Sequence, residues 1–474
     1  MTIVTSIFMF GFLPVFLLVY YLSGQKIKKY VLLLGSICFY AFTLQKAVIW
    51  ILLLCVLVYL MSLLYSVFKK KHQLFSDIIC MVTIAFLVVL LFFTHSLADV
   101  LQKIYDMAGI YFNRQIITDS FPIGFSFLCF SMISYMTDLY RGEILAEKNL
   151  FSLCTYFLMF PKMLMGPLEK YPDFKSQMLQ PAVSFQHTGE GMTRFILGFC
   201  KKVIIADNLA LLVGQVMWVT DFSKLSVTSL WLISICYSLE LFIDISAYYD
   251  CALGLAQMLG FRLREGFDYP YCADNMKHFW SRWNMTLVQW FKEYIYRPLA
   301  AGSTRKIQSL TAFLMTVFLF IIWHGCKVNF FICGGIFLGF LLIERYLVQI
   351  EKQKKSVQLL WRIFMLVVIN ICWVFVYFPD MGQAVSFCMG MFGLTNNSLF
   401  SADIFRDVRE YGIYILGAIF VVTPACVKLK EWIQEHDRYG VLAIISPIIL
   451  LALFIWAMSF VMVNGYQEFL FQKF

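Results

Sequence analysis

Charge is what this sequence has least of. Only 14% of its 474 residues are Asp, Glu, Lys or Arg, and 61% are hydrophobic, whereas soluble domains carry roughly 25% charge. So little polar surface excludes an ordinary water-soluble enzyme and leaves a polytopic, all-α membrane protein. Histidine is scarce as well. The six His residues, at 72, 95, 187, 278, 324 and 436, show no metal-ligand spacing, so no metal site is expected. The fourteen cysteines contain no C-x-x-C pair and mostly fall inside apolar runs, as at Cys55, Cys80, Cys236, Cys372 and Cys426. They read as small packing hydrophobes and say nothing about redox compartment. The first apolar run lacks a basic n-region and an A-x-A-like cleavage site, so it is expected to be a retained span and not a signal peptide. Internal repeats of the kind that mark many transporters do not stand out.

What the chain has in quantity is apolar runs of the length a bilayer core needs, about 20 residues each. They lie near 3–22, 30–43, 46–67, 78–96, 121–140, 194–219, 228–257, 308–323, 329–349, 361–378, 411–427 and 440–464. That pattern predicts about 11–12 transmembrane helices. The stretch 150–165 is short and broken by Pro161 and Pro167, which favours a re-entrant or interfacial segment. Basic clusters at Lys26/Lys28/Lys29, Lys69/Lys70/Lys71, Lys201/Lys202, Lys352/Lys354/Lys355 and Lys428/Lys430 all fall inside if the N-terminus is outside. Both termini are then extracytoplasmic. The net charge of +9 follows mostly from this topology and gives no reason to expect nucleic acid as a partner; the partner it does imply is the lipid bilayer.

Two features break the pattern. Ile322-Trp323-His324-Gly325 places a histidine between the apolar runs 309–323 and 330–343. An ionisable residue at that depth is costly and usually lines a cavity or does chemistry, although a neutral imidazole can also just tie two helices together. The second feature is the polar, aromatic loop from Gly260 to Gln308, predicted cytoplasmic and too long to be a plain connection. It carries Arg262, Arg264, Lys277, Arg282, Lys292, Arg297, Arg305 and Lys306 against Glu265, Asp268, Asp274 and Glu293. Within it, apolar residues at 279, 280, 283, 287, 290 and 291 have helical spacing, which predicts one amphipathic helix over 278–291 at the membrane boundary. Lys277, Arg282 and Lys292 are candidates for binding the phosphates of a donor such as coenzyme A, or an acidic carrier protein; topology-setting charge is the plainer alternative. Glu240, Asp244 and Asp250 put three carboxylates in the 228–257 span. The two Asp residues are about 600° apart around a helix, and structural pairing is expected ahead of a tunnel-lining role.

Several stretches, in order along the chain, carry a resemblance. They include Phe121-Pro122-Ile123-Gly124-Phe125, Tyr140-Arg141-Gly142-Glu143, Phe160-Pro161 with Gly166-Pro167, and Gly198-Phe199-Cys200-Lys201-Lys202. Asp244 to Asp250, Phe279-Trp280-Ser281-Arg282-Trp283, Tyr296-Arg297-Pro298 and Trp323-His324-Gly325 continue the set. Together they cover roughly 120–340, with a weaker echo at Trp373-Val374-Phe375. The chain resembles the membrane-bound O-acyltransferases (MBOAT), and within them the bacterial branch that holds the alginate O-acetyltransferase membrane protein and the teichoic-acid D-alanyl transfer protein.

That resemblance implies one MBOAT-like domain, 1–474, with re-entrant and interfacial helices among its spans around a central tunnel, in a bacterial cell membrane. It implies transfer of a short acyl group, acetyl first, from a cytoplasmic thioester to an extracellular polysaccharide or to a partner acyltransferase that modifies one. No cofactor is held permanently; acyl-CoA or an acyl-carrier thioester is the donor substrate. The family histidine maps onto His324. Imidazole titrates near neutrality and can take a proton from a hydroxyl nucleophile. Many bacterial relatives have a second histidine where this chain has Asn284, a departure shared with eukaryotic members. Asn cannot carry a proton, so Asn284 is expected to orient or polarise the thioester carbonyl; an interfacial or capping Asn is the structural alternative. In the aromatic tail, Phe471 stands where relatives often have tyrosine, with Tyr466 close but out of register. D-alanyl transfer from a carrier protein to teichoic acid is the close rival. A transporter or channel gated by His324, and a scaffold that has lost activity, are the rivals from other classes.

Overall fold

The computed structural model describes residues 2–45, 47–109, 124–219, 221–301, 306–436, 440–465 and 467–470, and 79% of these residues are helical. A π-helical start, Ile7–Phe12, leads into α1 (Leu13–Leu22), followed by α2 (Lys28–Leu44), α3 (Ala47–Phe68) and α4 (Gln73–Met107). Next come α5 (Phe125–Arg141), α6 (Leu150–Leu158), α7 (Tyr171–Leu179), α8 (Phe185–Cys200), a π-helical turn Lys201–Ala206, and α9 (Asp207–Gly214). The second half holds α10 (Val227–Met258), α11 (Met276–Arg282), α12 (Met285–Phe291), α13 (Arg297–Ala300), α14 (Lys306–His324) and α15 (Val328–Ile343). It closes with α16 (Lys355–Tyr377), α17 (Met381–Met391), α18 (Ala402–Val422), α19 (Ala425–His436) and α20 (Val441–Asn464). Side-chain caps set several starts: Asn149, Ser184, Ser226, Asn275 and Asp380 each accept an N–H that the helix cannot satisfy itself.

Seven described helices are long and apolar enough to cross a bilayer by themselves. The further expected crossings fall on shorter helices such as Ile7–Leu22, or on interrupted ones. The run 194–219 belongs to α8, the π-helical turn and α9. The run 411–427 straddles a 79° bend between α18 and α19. The segment Phe121-Pro122-Ile123, Tyr466 and Phe471 lie outside the described residues.

One helix is central, for a reason visible in its sequence. α10 carries Glu240, Asp244 and Asp250 among its apolar residues, and carboxylates at membrane depth are costly unless they face protein instead of lipid. Its most apolar window is 83% buried inside the molecule, against 11% for Ile307–His324 and 6% for Ile444–Val463. It packs on α8, α9, α16, α17 and α18.

The two aspartates of α10 are paired. Lys202 Nζ lies 2.6 Å from Asp244 and 2.7 Å from Asp207. Lys201 Nζ lies 2.7 Å from Asp250, which also receives Arg194. Consecutive residues on a helical turn point in different directions, and so do residues six apart on α10, so two adjacent lysines reach two distant aspartates. The basic pair 201/202 is therefore more than the topology-setting charge that the sequence suggested. It lies within a helix, and its charges are matched internally. The tail is drawn to the same place: Leu470 N–H donates to Asp244 Oδ2 at 2.8 Å, Glu468 O accepts from Lys202, and Phe469 is fully buried against Tyr248. Removing one member of a buried pair strands the other and typically costs about 3–5 kcal/mol. Lys202→Met is thus expected to lower the thermal unfolding midpoint in detergent well below that of Lys202→Arg; equal midpoints would contradict the pairing.

Candidate active site

His324 is the last residue of α14. Its neighbour Trp323 faces inward, 8% exposed, with its ring 6.2 Å from Phe127 and 5.5 Å from Phe130 of α5. About 100° further round the helix, His324 is exposed, with Phe320, Trp323 and Phe330 rings 4.6, 4.4 and 6.2 Å away. Its Nδ1 lies 2.9 Å from the Phe320 carbonyl, one turn back. A carbonyl oxygen only accepts, so Nδ1 must carry the proton; in the neutral ring Nε2 then holds the lone pair and is the basic nitrogen. Gly325 follows with φ of 126°, a conformation L side chains rarely adopt, and its N–H donates to Ile322 O at 3.0 Å. In Trp-His-Gly the tryptophan packs, the histidine is presented and the glycine turns the chain away.

The predicted amphipathic helix over 278–291 is two short helices, α11 and α12, broken at Trp283-Asn284. The reason is a competing set of backbone bonds. Arg282 O accepts from Asp268 N–H at 3.0 Å, and Met285 N–H donates to Gly266 O at 2.7 Å, so residues 266–268 take the groups that a continuous helix would have used. Asn284 adopts a left-handed conformation, φ 42° and ψ 56°, which Asn tolerates better than most residues. Its neighbour Trp283 is held by rings of Phe242, Phe267, Tyr271, Phe279 and Trp373.

Asn284 is neither an interfacial anchor nor a side-chain cap: it is 5% exposed and makes no capping hydrogen bond. Instead the Tyr249 hydroxyl of α10 donates to Asn284 Oδ1 at 2.9 Å and contacts Thr286 Oγ1 at 3.2 Å. The Tyr249 proton is committed to Asn284, so the Thr286 hydroxyl donates to Tyr249. This orients the amide and leaves Nδ2 as its donor end. Gly266 makes room for the arrangement, since a Cβ there would overlap the Tyr249 ring.

The two candidates converge on one aromatic cluster. Phe320, whose carbonyl orients His324, packs against Trp280 at 5.9 Å and Phe291 at 5.2 Å. Those rings belong to α11 and α12, the helices on either side of Asn284. The basic candidates are spread along the same strip. Lys277 and Arg282 stand toward opposite ends of α11, Lys277 exposed and Arg282 3.9 Å from Asp268, and exposed Lys292 opens the turn after α12. Two cavities of about 10 Å³ each, room for about one water, are lined in part by Val203 and Asp207 and by Val213 and Tyr377; His324 and Asn284 line neither.

Tyr249 and Gly266 are neighbours of Asn284 that the sequence reading did not single out. Tyr249 lies in the matched stretch 244–250 beside Tyr248, and nothing local in the sequence distinguishes the two phenols. A neutral hydrogen bond of this kind contributes about 0.5–1.5 kcal/mol. Tyr249→Phe is expected to reduce turnover roughly 3- to 10-fold while leaving the donor KM unchanged, measured by initial rates; unchanged turnover would remove Tyr249 from the site.

The sequence matches the model of the MBOAT, membrane-bound O-acyltransferase, family over residues 35–383. It is 31% identical over 373 residues to the probable alginate O-acetylase AlgI of Azotobacter vinelandii, covering 78% of this chain and 74% of that one. It is 25% identical to the peptidoglycan O-acetyltransferase of Helicobacter pylori over 96% of this chain and 95% of that one. The teichoic acid D-alanyltransferase of Bacillus subtilis is 25% identical over 45% of this chain and 56% of its own length. The family match over most of the chain and the 31% identity to the Azotobacter protein show that the chain belongs to the membrane-bound O-acyltransferase family and is an O-acyltransferase.

Proposed function

We propose that this protein takes an acetyl group from a thioester at the cytoplasmic face and passes it to a hydroxyl of an extracellular polysaccharide, or to a partner enzyme that modifies one. His324 acts as the base. The observation that carries this reading is the Nδ1–Phe320 hydrogen bond, which defines the tautomer whose Nε2 can accept a proton. Nε2 takes the acceptor hydroxyl proton as that oxygen attacks the thioester carbonyl carbon. The carbonyl electron pair moves onto oxygen, and Asn284 Nδ2 donates a hydrogen bond to it. Collapse of the intermediate breaks the C–S bond, and the departing thiolate takes the proton back from the imidazolium. The products are an ester and a free thiol.

Lys277, Arg282 and Lys292 would receive the phosphates of the donor, for which guanidinium and ammonium groups are suited. The donor, acyl-CoA or an acyl-carrier thioester, is a substrate, and no resident cofactor enters the reaction. The whole chain, 1–474, acts as one membrane unit in the bacterial cytoplasmic membrane with both termini outside. The similarity to the Bacillus subtilis D-alanyltransferase supports a second reading, D-alanyl transfer from a carrier protein. Membranes supplied with labelled acetyl-coenzyme A or with a D-alanyl carrier protein separate the two. Label from acetyl-coenzyme A in the polysaccharide fraction, lost in the His324→Ala variant, is the expected result; label from the D-alanyl donor alone would replace it.

A further inference from the structure

We infer that Glu344 is a positioning residue of the acyl-transfer site, a clamp that fixes the helix leading to Asn284 against the hairpin carrying His324. The inference rests on the acyl-transfer reading above. Glu344 is the first residue beyond α15. Its Oε1 accepts the Met276 N–H at 2.7 Å, and its Oε2 accepts the Lys277 N–H at 3.1 Å. Oε1 also receives the Trp361 indole N–H of α16 at 2.9 Å.

Met276 and Lys277 are the first two residues of α11, whose N–H groups no helix can satisfy internally. Asn275 takes the third, from His278, at 2.7 Å. The start of α11 is therefore held mostly from another element, by a carboxylate whose hydrogen bonds to N–H groups are charge-assisted. This matters because α11 has only seven residues, and helices shorter than about 12 residues are marginal by themselves. Where such a helix lies is decided by what grips it. Its far end runs directly into Trp283-Asn284, while Glu344 ends α15, the helix that follows His324 and Gly325. The same joint is packed on its apolar side by Trp280 against Phe337, with ring centroids 5.1 Å apart. One carboxylate thus ties the helix that leads to Asn284 to the far end of α15, the second arm of the hairpin whose first arm carries His324, without touching either residue.

The test uses the full-length chain purified in detergent, with Glu344→Ala and Glu344→Gln. Hydrogen exchange across 276–284 is expected to rise about tenfold or more in the Ala variant, with Gln, which keeps one acceptor oxygen, between Ala and wild type. Turnover is then measured with whichever of acetyl-coenzyme A and D-alanyl carrier protein gives His324-dependent transfer. For Glu344→Ala we expect kcat to fall about tenfold or more with donor KM within about twofold, partly rescued by Gln. In the double variant with Asn284→Ala the loss should be no larger than for Asn284→Ala alone, the signature of two residues acting through one group. Unchanged exchange, additive losses, or a raised KM at wild-type kcat would each overturn the inference. Wild-type turnover in Asn284→Ala would instead bring down the role of Asn284, and this inference with it. If the Ala variant does not fold, the Gln variant carries the exchange and rescue comparisons alone.

Discussion

Replacing His324 by Ala is expected to reduce acyl transfer by about 10³-fold or more, the upper part of the range for loss of a positioned general base. The fold should survive, because the side chain is exposed and the packing of α14 is carried by Trp323 and Phe320. His324→Gln is the sharper variant. It keeps a hydrogen-bonding side chain but cannot carry a proton, so it should be as inactive as Ala. The measurement is the initial rate of label transfer from donor to polysaccharide in membranes holding equal amounts of protein. Undiminished transfer in either variant sinks the assignment of His324 as base and leaves it as a residue that ties helices together.

Removing the Asn284 amide should have the second largest effect. Loss of one donor to a developing oxyanion typically costs about 10²–10³ in kcat. Asn284→Ala alone would be ambiguous, because Ala is strained in the left-handed conformation found here, by roughly 1–2 kcal/mol. Asn284→Gly removes that ambiguity: glycine adopts the conformation without strain but has no amide. Both variants should lose kcat to a similar extent while retaining donor KM. Recovery of activity in the Gly variant would show that Asn is needed at 284 for backbone shape, and the carbonyl-polarising role would fall.

The amphipathic stretch 278–291 marks where sequence reading stops. Its apolar spacing is helical, and helices do form on both sides of Asn284, yet the break between them is set by residues 266–268, which compete for its backbone groups. A periodic pattern records which residues prefer burial, and it cannot record a hydrogen bond arriving from another segment. Lys201 and Lys202 fail in the same way. As a pair they look like topology-setting charge, until Asp244 and Asp250, more than forty residues on, are seen to neutralise them. His324 could be singled out from the sequence because its signal is local: a titratable ring inside an apolar run is expensive wherever the chain goes.

By itself, then, the sequence determined that this is a helical membrane protein, that its motifs are those of an acyltransferase, and that His324 and Asn284 are the residues to examine. Composition and motif order are properties of the chain alone, and hydrophobic burial acts on them whatever the final packing. Only the tertiary structure decided which imidazole nitrogen is basic, that Tyr249 orients the Asn284 amide, and that Glu344 grips the start of α11. Each of these is a hydrogen bond whose partners are brought within about 3 Å by the fold, the Tyr249 and Glu344 bonds across 35 and 68 residues of chain. Such bonds depend on distance and direction, which only packing around α10 and the aromatic strip supplies.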